Sequence, residues 1–155
     1  MEQGLLHLHN VLRWVITILL LVNVVRHLSA LNKPFTALDK QLGLWVMIAA
    51  HITLVIGIYQ YFTSQKVGFV QLDAMGMKNV MGDAFARFWV IEHPLCMLIG
   101  IILITLGKGV ARKNISDAAK HKRSLILLFI ALIVIAAAVP WPFRELVARP
   151  WFPGM

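Results

Sequence analysis

An all-α integral membrane protein, built as a four-helix up-and-down bundle, is the fold this sequence predicts, and three observations predict it. Four long apolar runs, residues 11–25, 44–62, 88–106 and 125–140, occupy most of the 155 residues. With their flanks, each approaches the ~20 apolar residues that cross a bilayer core. Hydrophobic residues make up 59% of the chain and charged residues only 14%, which excludes an ordinary soluble domain. The charges that remain collect mostly between the runs, where membrane topology places them. The chain therefore reads as one transmembrane domain, residues 1–155, with helices over about 5–28, 42–63, 85–107 and 122–141.

The first helix follows an N-terminus with no basic stretch and no small-residue cleavage site, so it is expected to stay as a membrane helix. At about 100° per residue, His9, Arg13, Thr17, Asn23 and His27 fall on one side of it, and His7 points nearly the opposite way. A polar stripe on an otherwise apolar helix belongs in the bundle interior. Arg13 there needs a partner, either Glu92 or an acidic group of a cofactor. The second helix carries His51 near mid-depth. Residues 67–87, apolar but interrupted by Gly76 and Gly82, read as an amphipathic cap on the outer surface. The third helix holds Glu92-His93-Pro94, with Met97 and Gly100 on the face of His93. Pro94 frees a carbonyl one turn earlier and is expected to kink the helix, and Gly100 would let a flat ring approach the backbone. The fourth helix has no histidine. Beyond it, a tail rich in proline, tryptophan and phenylalanine is expected to fold over the outer mouth, with Arg144 and Arg149 helping to cap it.

Loop charges set the orientation. The third loop carries Lys108, Arg112, Lys113, Lys120, Lys122 and Arg123 against a single Asp117, and the first carries Arg26, Lys33 and Lys40. The middle loop is nearly balanced. Lysine and arginine favour the cytoplasmic side, so loops one and three are expected inside and both termini outside, periplasmic if the membrane is a bacterial inner membrane. The net charge of +8 then reflects topology and contact with the lipid bilayer, and no nucleic-acid partner is expected. Cys96 is the only cysteine, so an intrachain disulfide and cysteine-based haem attachment are both excluded.

Histidines carry the chemistry. Hydrocarbon does not tolerate idle polar side chains, and imidazoles within spans mark ligand sites or proton paths. His93, His51 and His9 are the candidate ligands; His7, His27 and His121 are expected to meet solvent or headgroups. Haem b needs imidazole ligands and no covalent thiol. Two ligands on one iron must come from opposite sides of the ring. His9 and His93, on diagonal helices, suit that span, and His51 is similar to His9 in its depth relative to His93. His93 is common to both pairings, and Arg13 is a candidate cofactor-binding residue beside them. The same three histidines, with Glu92 nearby, also make a copper or zinc set. A metal-free proton or quinone path through Arg13, Glu92 and the histidines is a third reading.

The stretches Leu5-Leu6-His7-Leu8-His9-Asn10-Val11-Leu12-Arg13-Trp14, Ile91-Glu92-His93-Pro94 and Pro140-Trp141-Pro142-Phe143-Arg144 resemble the short four-helix membrane proteins of Bacteroidota labelled cytochrome B. The likeness extends over almost the whole chain, including Ala49-Ala50-His51 and the ending Pro150-Trp151-Phe152-Pro153-Gly154. The resemblance implies a b-type haem in an inner-membrane bundle and a part in respiratory electron transfer, as a quinone-linked oxidoreductase or a haem-bearing subunit beside other respiratory membrane proteins. A looser similarity joins the chain to bacterial b561-type cytochromes. It departs from them in lacking a histidine on the fourth helix, so at most one haem is expected, toward the outer half.

Overall fold

The computed structural model describes residues 2–152; Pro153 and Gly154 of the ending quoted above lie outside them. Among the described residues there is no strand, and every regular element is helical. Helix α1 spans Glu2–Ser29, α2 Ala37–Thr63, α3 Phe69–Gly82, α4 Ala84–Arg87, α5 His93–Gly109 and α6 Asp117–Ala138. A π-helical turn, Phe88–Glu92, joins α4 to α5, and a 3-10 turn, Val110–Arg112, follows α5.

Four stretches are long and apolar enough to cross a membrane: Gln3–Ser29, Ala37–Thr63, Ala84–Arg112 and Asp117–Ala138, with mean hydropathy between 1.8 and 2.0. Even the shortest, at 22 residues, measures about 33 Å at ~1.5 Å per residue, enough for a ~30 Å hydrocarbon core. Large apolar side chains point outward from all four, among them Ile18, Val25, Val55, Ile102 and Phe129. A surface apolar all round suits contact with a lipid bilayer.

The spans pack in a ring, α1 on α2, α2 on α5, α5 on α6 and α6 on α1, which leaves α1 diagonal to α5. Leu20, Val46, Ile104 and Leu128 fill the axis of the bundle. Helix α5 comes close to α6 because glycine lines its inner face. A Cβ on Gly100 would stand 2.6 Å from Ile135 Cγ1, and one on Gly107 3.0 Å from Leu128 Cδ2. Small residues at such a contact let two membrane helices interlock. Gly100 therefore receives Ile135, where the sequence suggested room for a flat ring.

Helix ends follow local chemistry. Asp39 Oδ2 accepts from the backbone N and Oγ1 of Thr36, each at 2.7 Å, so α2 starts at Ala37, ahead of its apolar run. Ser116 Oγ accepts from Ala119 N at the start of α6. Residues 67–87 form α3 and α4 at the opposite end of the bundle, and α3 is broken by Gly76, whose φ of 72° only glycine adopts freely. Val80, Ala86 and Val90 make a small second core there.

Pro94 shapes the entrance to α5. It has no N–H, so the carbonyl of Val90 loses its helical partner, and the hydroxyl of Tyr61 stands 3.4 Å from it. The helix absorbs the defect as the π turn just before His93, in which the His93 N–H reaches the Phe88 carbonyl. Such turns re-aim the side chains that follow.

Candidate functional site

Two imidazole pairs sit at the two ends of the bundle. The first lies at the end where α1 begins and α6 finishes. His9 of α1 and His93 of α5 face each other across the diagonal, ring centres 6.4 Å apart and planes inclined by 56°. His93 Nδ1 lies 2.9 Å from the Ala138 carbonyl. A carbonyl only accepts, so His93 carries its proton on Nδ1 and keeps the lone pair of Nε2 free. Trp89 and Phe88 of the π turn pack on its ring at 5.6 and 5.7 Å. Across the bundle, His9 rests on the bare backbone of Gly57 in α2; a Cβ there would stand 3.4 Å from His9 Cε1.

The proline-rich tail closes over this end. The Arg13 guanidinium donates to the carbonyls of Pro150 and Trp151 at 3.1 and 3.0 Å, and Trp14 Nε1 donates to Trp151 at 2.8 Å. Arg13 also stands over the rings of Trp14 and Trp141, 5.5 and 5.6 Å from their centres. Glu92, one of the two partners expected for Arg13, is bound by Arg87 instead at 2.7 Å. Arg144 donates to the Ala137 carbonyl and lies over Phe88, and Arg149 lies over Trp89. Burial lowers the Arg149 guanidinium from its ordinary value.

Despite these contacts, the end is not satisfied. His9 Nδ1, Asn10 Oδ1, Arg13 Nε and Trp89 Nε1 are all buried without a hydrogen-bond partner. Native proteins leave few such groups, and each one asks for a ligand, an ion or a water. A cavity of about 310 Å³ opens between the π turn and the tail, with Arg87, Phe88, Glu92, Arg144 and Glu145 on its wall.

His51 is not brought to this pair. It lies on the exposed face of α2, and its Nδ1 donates to the Met47 carbonyl one turn back, at 2.8 Å. That bond satisfies Nδ1 within its own helix and leaves Nε2 on the exposed face. Among the described residues, His9, His51 and His93 do not form a three-ligand cluster. Donation to Met47 lowers the cost of an imidazole on this exposed apolar face.

The second pair lies at the other end, among loops one and three. His27 Nδ1 and His121 Nδ1 are 2.9 Å apart, so one ring donates and the other accepts. Both rings are almost wholly buried, at 2% and 0% exposure, where the sequence suggested solvent or headgroups, and His121 stands within α6, the helix expected to carry no histidine, because α6 starts at Asp117. Phe35 packs on both rings. Asp39 is beside them at 2% exposure, and it accepts from Arg26 Nε at 2.8 Å. One ligand atom from each of His27, Asp39 and His121 fits within a 4.8 Å cluster. Sequence reasoning missed this group because it placed Asp39 in a loop. Two signals were present: the Thr36-x-x-Asp39 capping pattern, which starts a helix there, and the position of His27 on the polar stripe shared with His9 and Asn23.

Comparison with protein-family models, with curated proteins and with solved structures finds no match to this chain.

Proposed function

We propose that the chain is a haem b protein of the bacterial inner membrane, with His93 and His9 as the axial pair and a role in electron transfer. The observation that carries this reading is the facing of two imidazoles across the bundle diagonal amid unpartnered buried polar atoms. Two imidazoles on opposite sides of one metal, each at ~2.0–2.1 Å, have ring centres about 6 Å apart; here the separation is 6.4 Å. The donor chemistry fits as well. His93 is fixed by the Ala138 carbonyl in the tautomer that leaves Nε2 for a metal, and Gly57 leaves the wall beside His9 without a side chain.

The residues around the pair have distinct tasks in this reading. Arg13, whose Nε has no partner, and the arginines on the cavity wall supply positive charge for acidic groups of the cofactor. Trp89, Phe88 and the tail exclude water from the His93 side. When bound, the haem supplies a one-electron carrier. The positive charge of loops one and three supports a periplasmic position for the pair. The electron partners are then a membrane quinone or a neighbouring respiratory subunit at the outer face.

Copper or zinc at this end would need a third ligand. Glu92 is held by Arg87 and His51 lies on the exposed face of α2, away from the pair, so the two-imidazole arrangement favours haem. The deciding measurement is the spectrum of purified protein supplied with haem. A reduced-minus-oxidised α-band of b type, with low-spin electron resonance typical of two imidazoles, is expected. A protein that stays colourless, or that carries stoichiometric copper or zinc without a Soret band, overturns the reading.

A further inference from the structure

We infer that His27, His121 and Asp39 form a site for a single divalent transition-metal ion of the zinc class, separate from the His9–His93 pair. Three groups of the right chemistry converge there from α1, α2 and α6, with ligand atoms within 4.8 Å of one another. Two imidazoles and one carboxylate are a common donor set for zinc, cobalt or iron(II) ions. Tetrahedral binding at ~2.0–2.1 Å brings ligand atoms to about 3.3 Å from one another. The two Nδ1 atoms, at 2.9 Å, need to open by only a few tenths of an ångström, and Asp39 stands within the same 4.8 Å cluster.

Each ligand has the free valence this requires. Oδ2 of Asp39 is filled by Thr36 N, Thr36 Oγ1 and a longer contact from Arg26. Its Oδ1 accepts only from Arg26 Nε, and a carboxylate oxygen has about two acceptor positions, so one remains open. On His121, Nε2 reaches toward the Pro34 carbonyl at 3.5 Å. That is the outer hydrogen bond that orients a metal-bound imidazole and leaves Nδ1 bare. His27 Nδ1 then carries the shared proton in the absence of an ion. On binding, that proton moves to His27 Nε2, and both rings stay neutral.

Two further observations point to a guest. A cavity of about 10 Å³ lies against His27, Asp39 and Ser124, which is the room one water-sized sphere occupies. One turn before His27 on the same face, Asn23 is fully buried; its amide nitrogen donates to Leu19 and Leu42, and its Oδ1 has no partner. Arg26, Lys40 and Lys108 surround the group and oppose a second cation, so roughly micromolar affinity is expected, weaker than a structural zinc site.

The test is titration of the full-length protein in detergent with Co²⁺, followed by visible absorption, in wild type and in the double variant His9→Gln/His93→Gln. The double variant keeps this result independent of the haem reading. Visible ligand-field bands at one equivalent are expected in both proteins, and X-ray absorption of the wild-type complex should show two imidazole neighbours. His27→Gln and His121→Gln, which keep a polar group in place, should each weaken binding by at least ~100-fold. Bands that vanish with His9 and His93, or a Co²⁺ shell of oxygen alone, overturn the site. So does unchanged binding in both glutamine variants, which would leave His27 and His121 as a structural hydrogen bond only.

Discussion

The two ends of the bundle use the same side chain at different spacings, and the spacing sets what each can hold. At the end where α1 begins, the imidazole centres stand 6.4 Å apart, with four buried polar atoms left open around them. At the other end the rings touch through a 2.9 Å nitrogen pair, and the adjoining space is a single water in size. A wide pair asks for a broad guest between the rings; a touching pair admits at most one ion. The difference arises from the helices. His9 and His93 sit on diagonal spans, whereas His27 and His121 sit on adjacent ones, α1 and α6.

The largest effect that would break this comparison is at His93. Replacement with alanine removes one ligand of the wide pair together with its bond to Ala138, and haem content measured after reduction should fall to background. His9→Ala should do the same. If either variant keeps a normal low-spin spectrum, the wide pair is not the axial pair.

The touching pair is sharpened by Arg26→Met. Asp39 has no exposed side-chain surface, and Arg26 supplies its charged partner. Breaking a buried pair by removing one partner costs about 3–5 kcal/mol. Because the Arg26 side chain is 25% exposed and Asp39 keeps both bonds from Thr36, a smaller loss is expected, about 1.5–3 kcal/mol, as for a lost charged hydrogen bond. Thermal unfolding in detergent would measure it, and the haem spectrum at the far end should hold its shape at temperatures where the variant is folded.

Between the ends, Gly100→Val tests whether they are mechanically joined. The added Cβ meets Ile135 at 2.6 Å, so α5 and α6 must move apart or Ile135 must turn, a cost of about 1–3 kcal/mol. His93 is anchored on α6 through Ala138. A shift between α5 and α6 should therefore broaden the haem spectrum more than it disturbs Co²⁺ binding between α1 and α6.

How much of this was legible in the sequence depends on what each residue's role rests on. The four apolar spans were, because hydropathy over twenty residues needs no tertiary knowledge. The diagonal meeting of His9 and His93 was among the open pairings, since α1 and α5 face across any up-and-down bundle. The arginine pairings were not. Arg13 binds tail carbonyls 137 and 138 positions away, and no periodicity reports a contact of that range. The burial of His27 and His121 was hidden for a related reason: loop one folds back, so that Phe35 roofs both rings. A residue two positions past the end of an apolar run looks solvated in sequence and is enclosed in fact.

His51→Leu should have the smallest effect of all, and it probes the sequence reading most directly. By depth alone His51 rivals His9 as the partner of His93. By geometry it faces outward and bonds to Met47. Leucine suits a lipid-facing position and removes no contact between helices, so stability should change by no more than about 0.5 kcal/mol. Haem content and spectrum should be unchanged. Loss of the low-spin spectrum in this variant, with retention in His9→Ala, would move the axial ligand to α2. The contrast between a wide diagonal pair and a touching adjacent pair would then fail, because α2 and α5 are themselves neighbours in the ring.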